Sequence, residues 1–120
     1  MGSDELSCGF LEALLDASGL RVRAVVTQPD RPCGRHLRLQ PCAVRAWILE
    51  HSLPLEVLTP PKVNAPGVLE ALAALRPDAV VVVAYGQFLG SRLLQLPPLG
   101  CVNLHLSLLP ALRGAAPIVR

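Results

Sequence analysis

Asn103 and His105 stand two residues apart in the closing stretch NLHLSLLPALRGAAPI, residues 103–118. In an extended strand alternate side chains share a face, so this pair would lie together, with Val102, Leu104 and Leu106 on the opposite face. A carboxamide N–H can donate to a developing oxyanion. An imidazole takes or gives a proton near neutral pH. The pair therefore suits acyl transfer through a tetrahedral intermediate. The same spacing also suits a buried polar pair satisfied by backbone groups, the commoner fate of polar residues in a core. Spacing alone leaves both open.

A second cluster is basic. Arg31, Arg35, Arg38 and Arg45 fall close together with His36, opposed there only by Asp30. Guanidinium groups pair with phosphate in two-pronged fashion, whereas many such clusters are simply solvated. Gly34 supplies flexibility or a positive φ. Asp30 either orients a neighbouring arginine or forms a turn. Arg113 beside Gly114 is a ligand contact or a residue tying down its own loop. His51 is expected to cap a helix C-terminus, and Trp47 to lie in a core.

These residues need elements to hold them. Leu6, Phe10, Leu11, Leu14 and Leu15 recur at helical spacing, which predicts a helix over about residues 4–18, with Ser3 as cap and Gly19 past its end. The β-branched run VRAVVT, residues 22–27, predicts a buried strand. Residues 28–40 turn polar and predict a long functional loop. Pro41 fits the first turn of a helix running to about His51. Residues 55–58 predict a weak strand, 67–75 a helix, 78–84 the best strand in the chain, FLGSRLLQL a short helix and 101–106 the last strand. Strands alternating with helices imply a parallel sheet covered on both faces. Such sheets bind ligands at the carboxyl ends of their strands, which here means AYGQF, residues 84–88, and the stretch after Asn103.

Composition sets the bounds. The chain has 120 residues, 52% of them hydrophobic, with a mean hydropathy of +0.46 and a net charge of +2. That is about one domain with ample core material. Aromatics are only 3%, so the core is expected to be Leu, Val and Ala. The four cysteines form no CxxC pair, which predicts free thiols and no metal site. The longest apolar run, residues 79–84, is far short of the ~20 residues of a membrane helix. No basic segment precedes the first apolar residues, so no secretory signal is read. A cytoplasmic location is expected, with an organellar one left open.

NLHLSLLPALRGAAPI resembles the signature of folate-dependent formyltransferases, in which Asn, a spacer and His precede a Ser-Leu-Leu-Pro stretch. RGAAPI narrows the likeness to the branch acting on methionyl-tRNA. TQPDRPCGR, residues 27–35, is similar to that branch's loop near the acceptor end of the initiator tRNA. VVVAYGQFL is similar to its strand and folate-contacting turn. The likeness runs from about Gly2 to Arg120 in four motifs in family order.

The resemblance implies an α/β, Rossmann-like, mostly parallel sheet with helices on both faces. It makes residues 1–120 a partial catalytic domain, without its first strand and its C-terminal part. It implies formyl transfer from 10-formyltetrahydrofolate to the amino group of methionyl-initiator tRNA, by a monomer that needs neither metal nor membrane. Asn103 and His105 become two members of a catalytic trio whose third, an Asp, has no counterpart here. Ser107, Leu108, Leu109, Pro110, Tyr85, Gly86, Gln87 and Phe88 become folate-binding positions, although a turn offers mainly backbone to a flat heterocycle. Arg31, Gly34, Arg35 and Arg38 become tRNA-binding positions. MGS stands where the family has a Gly-Thr or Gly-Ser turn ending its first, central strand. Gly90 stands where Pro is common, Leu106 where a smaller residue is usual, and His36 where Gly often follows the loop Arg. Turnover by these 120 residues is expected to be weak or absent. The alternatives are a folate enzyme formylating glycinamide ribonucleotide or an amino sugar, and a non-catalytic folate- or RNA-binding remnant. A dinucleotide-binding module is disfavoured, since no G-x-G-x-x-G follows a strand.

Overall fold

The computed structural model describes residues 1–104. Its elements, in chain order, are α1 (Glu5–Asp16), β1 (Val25–Val26), β2 (Arg31–Cys33), β3 (Arg38–Gln40), α2 (Ala43–Glu50), β4 (Val57–Leu58), α3 (Pro66–Ala74), β5 (Val80–Val82), α4 (Ser91–Leu94) and β6 (Cys101–Asn103).

β1 pairs in parallel with β4, and β5 in parallel with β6. Residues 1–3 run between the two pairs. The Gly2 N–H donates to the Val26 carbonyl at 3.0 Å, and the Val83 N–H donates to the Met1 carbonyl at 2.8 Å. Gly2 also forms a parallel bridge with Val83. The spatial order is therefore β4, β1, residues 1–2, β5, β6. Counted along the chain this is 3-2-1-4-5, the order of a doubly wound Rossmann-like sheet. Each parallel step needs a crossover, and α2, α3 and α4 lie in the three that follow β1.

Helices cover both faces. Neighbouring strand residues point to opposite sides, and β1 shows it: Val25 packs with Leu11, Val44 and Ile48, while Val26 packs with Val63, Leu72, Val82, Tyr85 and Leu93. The first cluster belongs to α1 and α2, the second to α3 and α4. The core is mainly aliphatic, with Tyr85 its one fully buried aromatic among the described residues.

Several expectations shift. Asp4, not Ser3, caps α1: its Oδ1 accepts from the Glu5 N–H. Ser3 is used elsewhere, as shown below. Ser7 and Leu11 are the residues α1 buries, and Leu6 is exposed. The inward face begins one residue later because Gly2 lets the first turn come down on the sheet. A Cβ on Gly2 would sit 2.6 Å from Ser7 Oγ and from the Val83 carbonyl oxygen. β1 is shorter than predicted, because pairing reaches only from Val25 to Thr27 along residues 56–58. α2 starts at Ala43 with Cys42 as cap, so Pro41 precedes the helix. His51 caps its end, with the backbone N–H and ring Nδ1 both against the Trp47 carbonyl. Trp47 is only half-buried, packed on the rim of the α1 and α2 cluster.

The expected long loop at 28–40 is a hairpin. β2 and β3 pair antiparallel, Arg31 opposite Gln40 and Cys33 opposite Arg38. Gly34 at φ +79° and Leu37 at φ +51° turn the chain between them. The pattern hides it because Arg38, Leu39 and Gln40 are all exposed, leaving no apolar face to alternate with.

Candidate functional site

The turn after β5 organises the carboxyl edge of the sheet. Ala84 at φ +48° and Gly86 at φ +93° both adopt the left-handed region, which for alanine costs roughly 1–2 kcal/mol. Such strain persists only where neighbours over-determine the backbone. Here the Ser3 N–H donates to the Ala84 carbonyl at 3.2 Å. The Tyr85 carbonyl accepts from Ser3 Oγ at 3.2 Å and from Gln28 Nε2 at 3.1 Å. The φ of +93° favours glycine at 86, and a Cβ there would lie 2.8 Å from Gln28 Nε2, displacing that amide from its place against the turn.

This turn separates two open clefts. One, about 520 Å³, lies between residues 61–65 and Gln87 with Phe88. The other, about 530 Å³, lies between Ser3 and Asp4 at the start of α1, Gln28 and Arg31, and residues 84–86. Both fall in the size range of small-molecule sites.

The four turn residues differ in what they offer. Tyr85 is 1% exposed and its ring belongs to the core. Its hydroxyl has no hydrogen-bond partner among the described residues, and burial raises the phenol to about 12. Gln87 directs its amide inward, to Val63, Gln28 and Pro60. Phe88 is 85% exposed, beside the 520 Å³ cleft. Asn64 grips the far end of the turn: its Nδ2 donates to the Phe88 carbonyl and its Oδ1 accepts from the Gly90 N–H, both at 2.8 Å.

The hairpin carries the basic residues. Arg31, Gly34, Arg35 and Arg38 are all exposed. Paired residues of a hairpin share a face, so Arg31 and Arg38 stand diagonally on the same side, about 7–8 Å apart at the backbone. Arg31 and Gln40, opposite one another, both border the 530 Å³ cleft. Gly34 holds φ +79° at the tip. Asp30 orients an arginine, and that arginine is Arg45 of α2.

Asn103 ends β6, exposed, in register with Val82 of β5. It thus lies beside the strand that leads into the strained turn. His105, Leu106, Ser107, Leu108, Leu109, Pro110, Arg113 and Gly114 lie outside the described residues. Burial raises the thiols of Cys8 and Cys101 above their ordinary value, which disfavours a thiolate nucleophile at either. No group of three His, Cys, Asp or Glu that could hold a metal occurs among the described residues. No described helix is long and apolar enough to cross a membrane. Ser3, Gln28 and Asn64 escaped the sequence reading as site residues. Gln28 had one signal, a polar residue directly after a β-branched run; Ser3 reads as a helix cap and as part of the MGS turn, not as a partner of residue 85; Asn64 had no signal.

The chain matches the formyl transferase family over residues 7–120. It is 52% identical over 118 residues to the methionyl-tRNA formyltransferase of Trichlorobacter lovleyi, covering 98% of this chain and 36% of that protein. The like-named protein of Pseudomonas paraeruginosa is 52% identical over 119 residues, covering 99% and 37%. That of Geobacter metallireducens is 50% identical over 118 residues, covering 98% and 37%. The chain spans a little over a third of the length of the relatives it matches.

Proposed function

The chain belongs to the formyl transferase family, and on that premise we propose that it forms the folate-facing and acceptor-facing part of an enzyme that formylates methionyl-initiator tRNA. The observation carrying this reading is the strained turn at residues 84–88 with an open cleft on each side, and Asn103 on the adjoining strand. The co-substrate, 10-formyltetrahydrofolate, supplies an activated formyl carbon. Phe88, exposed beside one cleft, fits the flat pterin or aryl part of such a molecule. The other cleft, bordered by Arg31 and Gln40 of the hairpin, fits a phosphate-bearing acceptor end.

In this reading Asn103 donates its amide N–H to the formyl oxygen as charge develops there. His105 takes the proton that the attacking amine loses as its nitrogen bonds the formyl carbon, and the bond from that carbon to N10 of the folate breaks, with N10 gaining a proton as tetrahydrofolate leaves. Tyr85, Gly86 and Gln87 act through the turn's backbone, Ser107, Leu108, Leu109 and Pro110 complete the folate contact, and Arg31, Gly34, Arg35 and Arg38 face tRNA. The names of the relatives favour methionyl-tRNA over glycinamide ribonucleotide or an amino sugar.

The test is binding followed by competition. The chain is titrated with 5-formyltetrahydrofolate, as wild type and Asn103→Ala. Formyl transfer by the encoded protein is then followed with methionyl-initiator tRNA, glycinamide ribonucleotide and an amino sugar offered together. Folate binding with formyl-methionyl-tRNA as the product supports the reading. Absence of folate binding, or a different formylated acceptor, overturns it.

A further inference from the structure

Two glutamine side chains form a circuit behind the strained turn that ligand contact does not explain. Gln87 Oε1 accepts from the Val63 N–H at 2.8 Å, and its Nε2 donates to Gln28 Oε1 at 2.9 Å and to the Pro60 carbonyl at 3.0 Å. A carboxamide has two N–H donors and one carbonyl oxygen, so both donors and the acceptor of Gln87 are engaged within the protein. Gln28 passes the chain on through its Nε2 to the Tyr85 carbonyl. Its own N–H donates to Ser3 Oγ at 2.9 Å, and that hydroxyl donates to the same Tyr85 carbonyl. Gln28 is buried.

The circuit spans one of the two clefts. Gln87 lies on one wall of the 520 Å³ cleft, and the Val63 N–H it binds lies on the other. Asn64 crosses in the opposite direction, from the second wall to Phe88 and Gly90. The separation of the walls is therefore set by side-chain amides. Ala84 holds a φ of +48° that an unsupported chain would leave.

We propose that Gln87 and Gln28 are positioning residues for the folate co-substrate. Together they fix the spacing between the 84–88 turn and residues 60–63, and Gln87 does so without touching the ligand through its side chain. This rests on the folate reading above.

The test uses the chain as wild type, Gln28→Ala, Gln87→Ala, the double variant and Gln87→Glu. Affinity for 5-formyltetrahydrofolate is read by calorimetry, and backbone exchange at Val63 and Ile48 by hydrogen–deuterium exchange. Each alanine variant is expected to weaken binding about tenfold, the scale of one well-made buried hydrogen bond. The double variant is expected to fall little further, because the two residues share a bond. Gln87→Glu keeps the oxygen that accepts from Val63 but cannot donate to Gln28 or Pro60. It is expected to leave Val63 exchange slow and still bind folate weakly. Exchange at Ile48, in the core on the far face of the sheet, is expected to stay unchanged in every variant.

Wild-type affinity in both alanine variants overturns the proposal while the folate reading stands. So does a strictly additive double variant, or wild-type affinity in Gln87→Glu. Faster exchange at Ile48 together with Val63 marks general loosening and overturns the local role. Failure of the wild type to bind overturns the folate reading, and this proposal with it.

Discussion

Arg45 of α2 places one guanidinium nitrogen, Nη1, against both carboxylate oxygens of Asp30, at 2.7 and 3.0 Å. The contact ties the segment after β1 to the helix that follows the basic hairpin. Both side chains are about one-third exposed, 34% and 33%, so solvent screens the pair and its contribution falls in the range of exposed ion pairs, about 0–1 kcal/mol. Its consequence is orientation of the hairpin. Asp30→Asn is expected to change unfolding free energy by less than about 1 kcal/mol in urea denaturation. If the hairpin faces tRNA, the same variant should weaken tRNA binding while folate affinity stays at the wild-type value.

Arg31 and Arg38 share a hairpin face, so their effects on an RNA partner should be alike. Each Arg→Ala change is expected to weaken initiator tRNA binding and to reduce the slope of log K against log salt by about 1. Arg35→Ala, at the hairpin tip, should do the same. Filter binding across a salt series measures both quantities. Unchanged slopes in all three would mark the hairpin as merely solvated.

Gly2 meets Ser7 and Val83 so closely that a methyl group cannot be added. Gly2→Ala would bring a Cβ to 2.6 Å from a side-chain oxygen and from a backbone oxygen. Ser7 can rotate away, but the Val83 carbonyl cannot. A loss of about 1–3 kcal/mol is expected, the scale of overpacking. Urea denaturation of Gly2→Ala, and of Gly2→Ala with Ser7→Ala, tests this. The second change should recover only part of the loss.

Tyr85 is the single tyrosine of the chain, so its titration can be read without overlap. Burial raises its pKa from 10 to about 12. A raised pKa means that the folded state holds the proton more tightly than the unfolded one. The stability this provides is complete below pH 10 and is lost as pH rises through 12. Absorbance of the phenolate should therefore appear near pH 12 or together with unfolding, not at pH 10. Tyr85→Phe removes a buried hydroxyl with no partner among the described residues. It should leave stability unchanged or raise it by about 1 kcal/mol.

Gly90 occupies a position where proline is common in the family it resembles. Its φ of −74° already suits proline. Proline would remove the N–H that Asn64 accepts, a loss of about 1 kcal/mol. It would also restrict the unfolded chain, a gain of about 0.4–1 kcal/mol. A Cβ there comes to 3.0 Å from Asn64 Oδ1, the end of a side chain that can shift. Gly90→Pro is expected to fall within about 1 kcal/mol of wild type in thermal denaturation, with Asn64 freed from one of its two bonds.

Much of this architecture is legible in the residues. Continuous β-branched runs at Val25 and at residues 80–82 mark strands buried on both faces. Pro66 and the apolar spacing after it mark α3. Asn103 sits at a strand end, where a parallel sheet exposes its carboxyl edge. What misled was the absence of contrast. Arg38, Leu39 and Gln40 of the hairpin are all exposed and gave no periodic signal, and in α1 tertiary packing left Leu6 exposed while burying Leu11 and the polar Ser7. The sequence marks the turn at Gln87 but not the partners of its side chain, which Val63, Gln28 and Pro60 engage from distant segments.

The order of hydrophobic segments, the turns between them and the membership of a formyl transferase family follow from the amino-acid sequence alone, because burial and local backbone preference act on neighbours. The choice of partners across the sheet edge does not. Ser3 meets Tyr85 across 82 positions and Gln28 meets Gln87 across 59. Only the 3-2-1-4-5 strand order brings them together, and a hydrogen bond senses distance in space, whatever the separation along the chain.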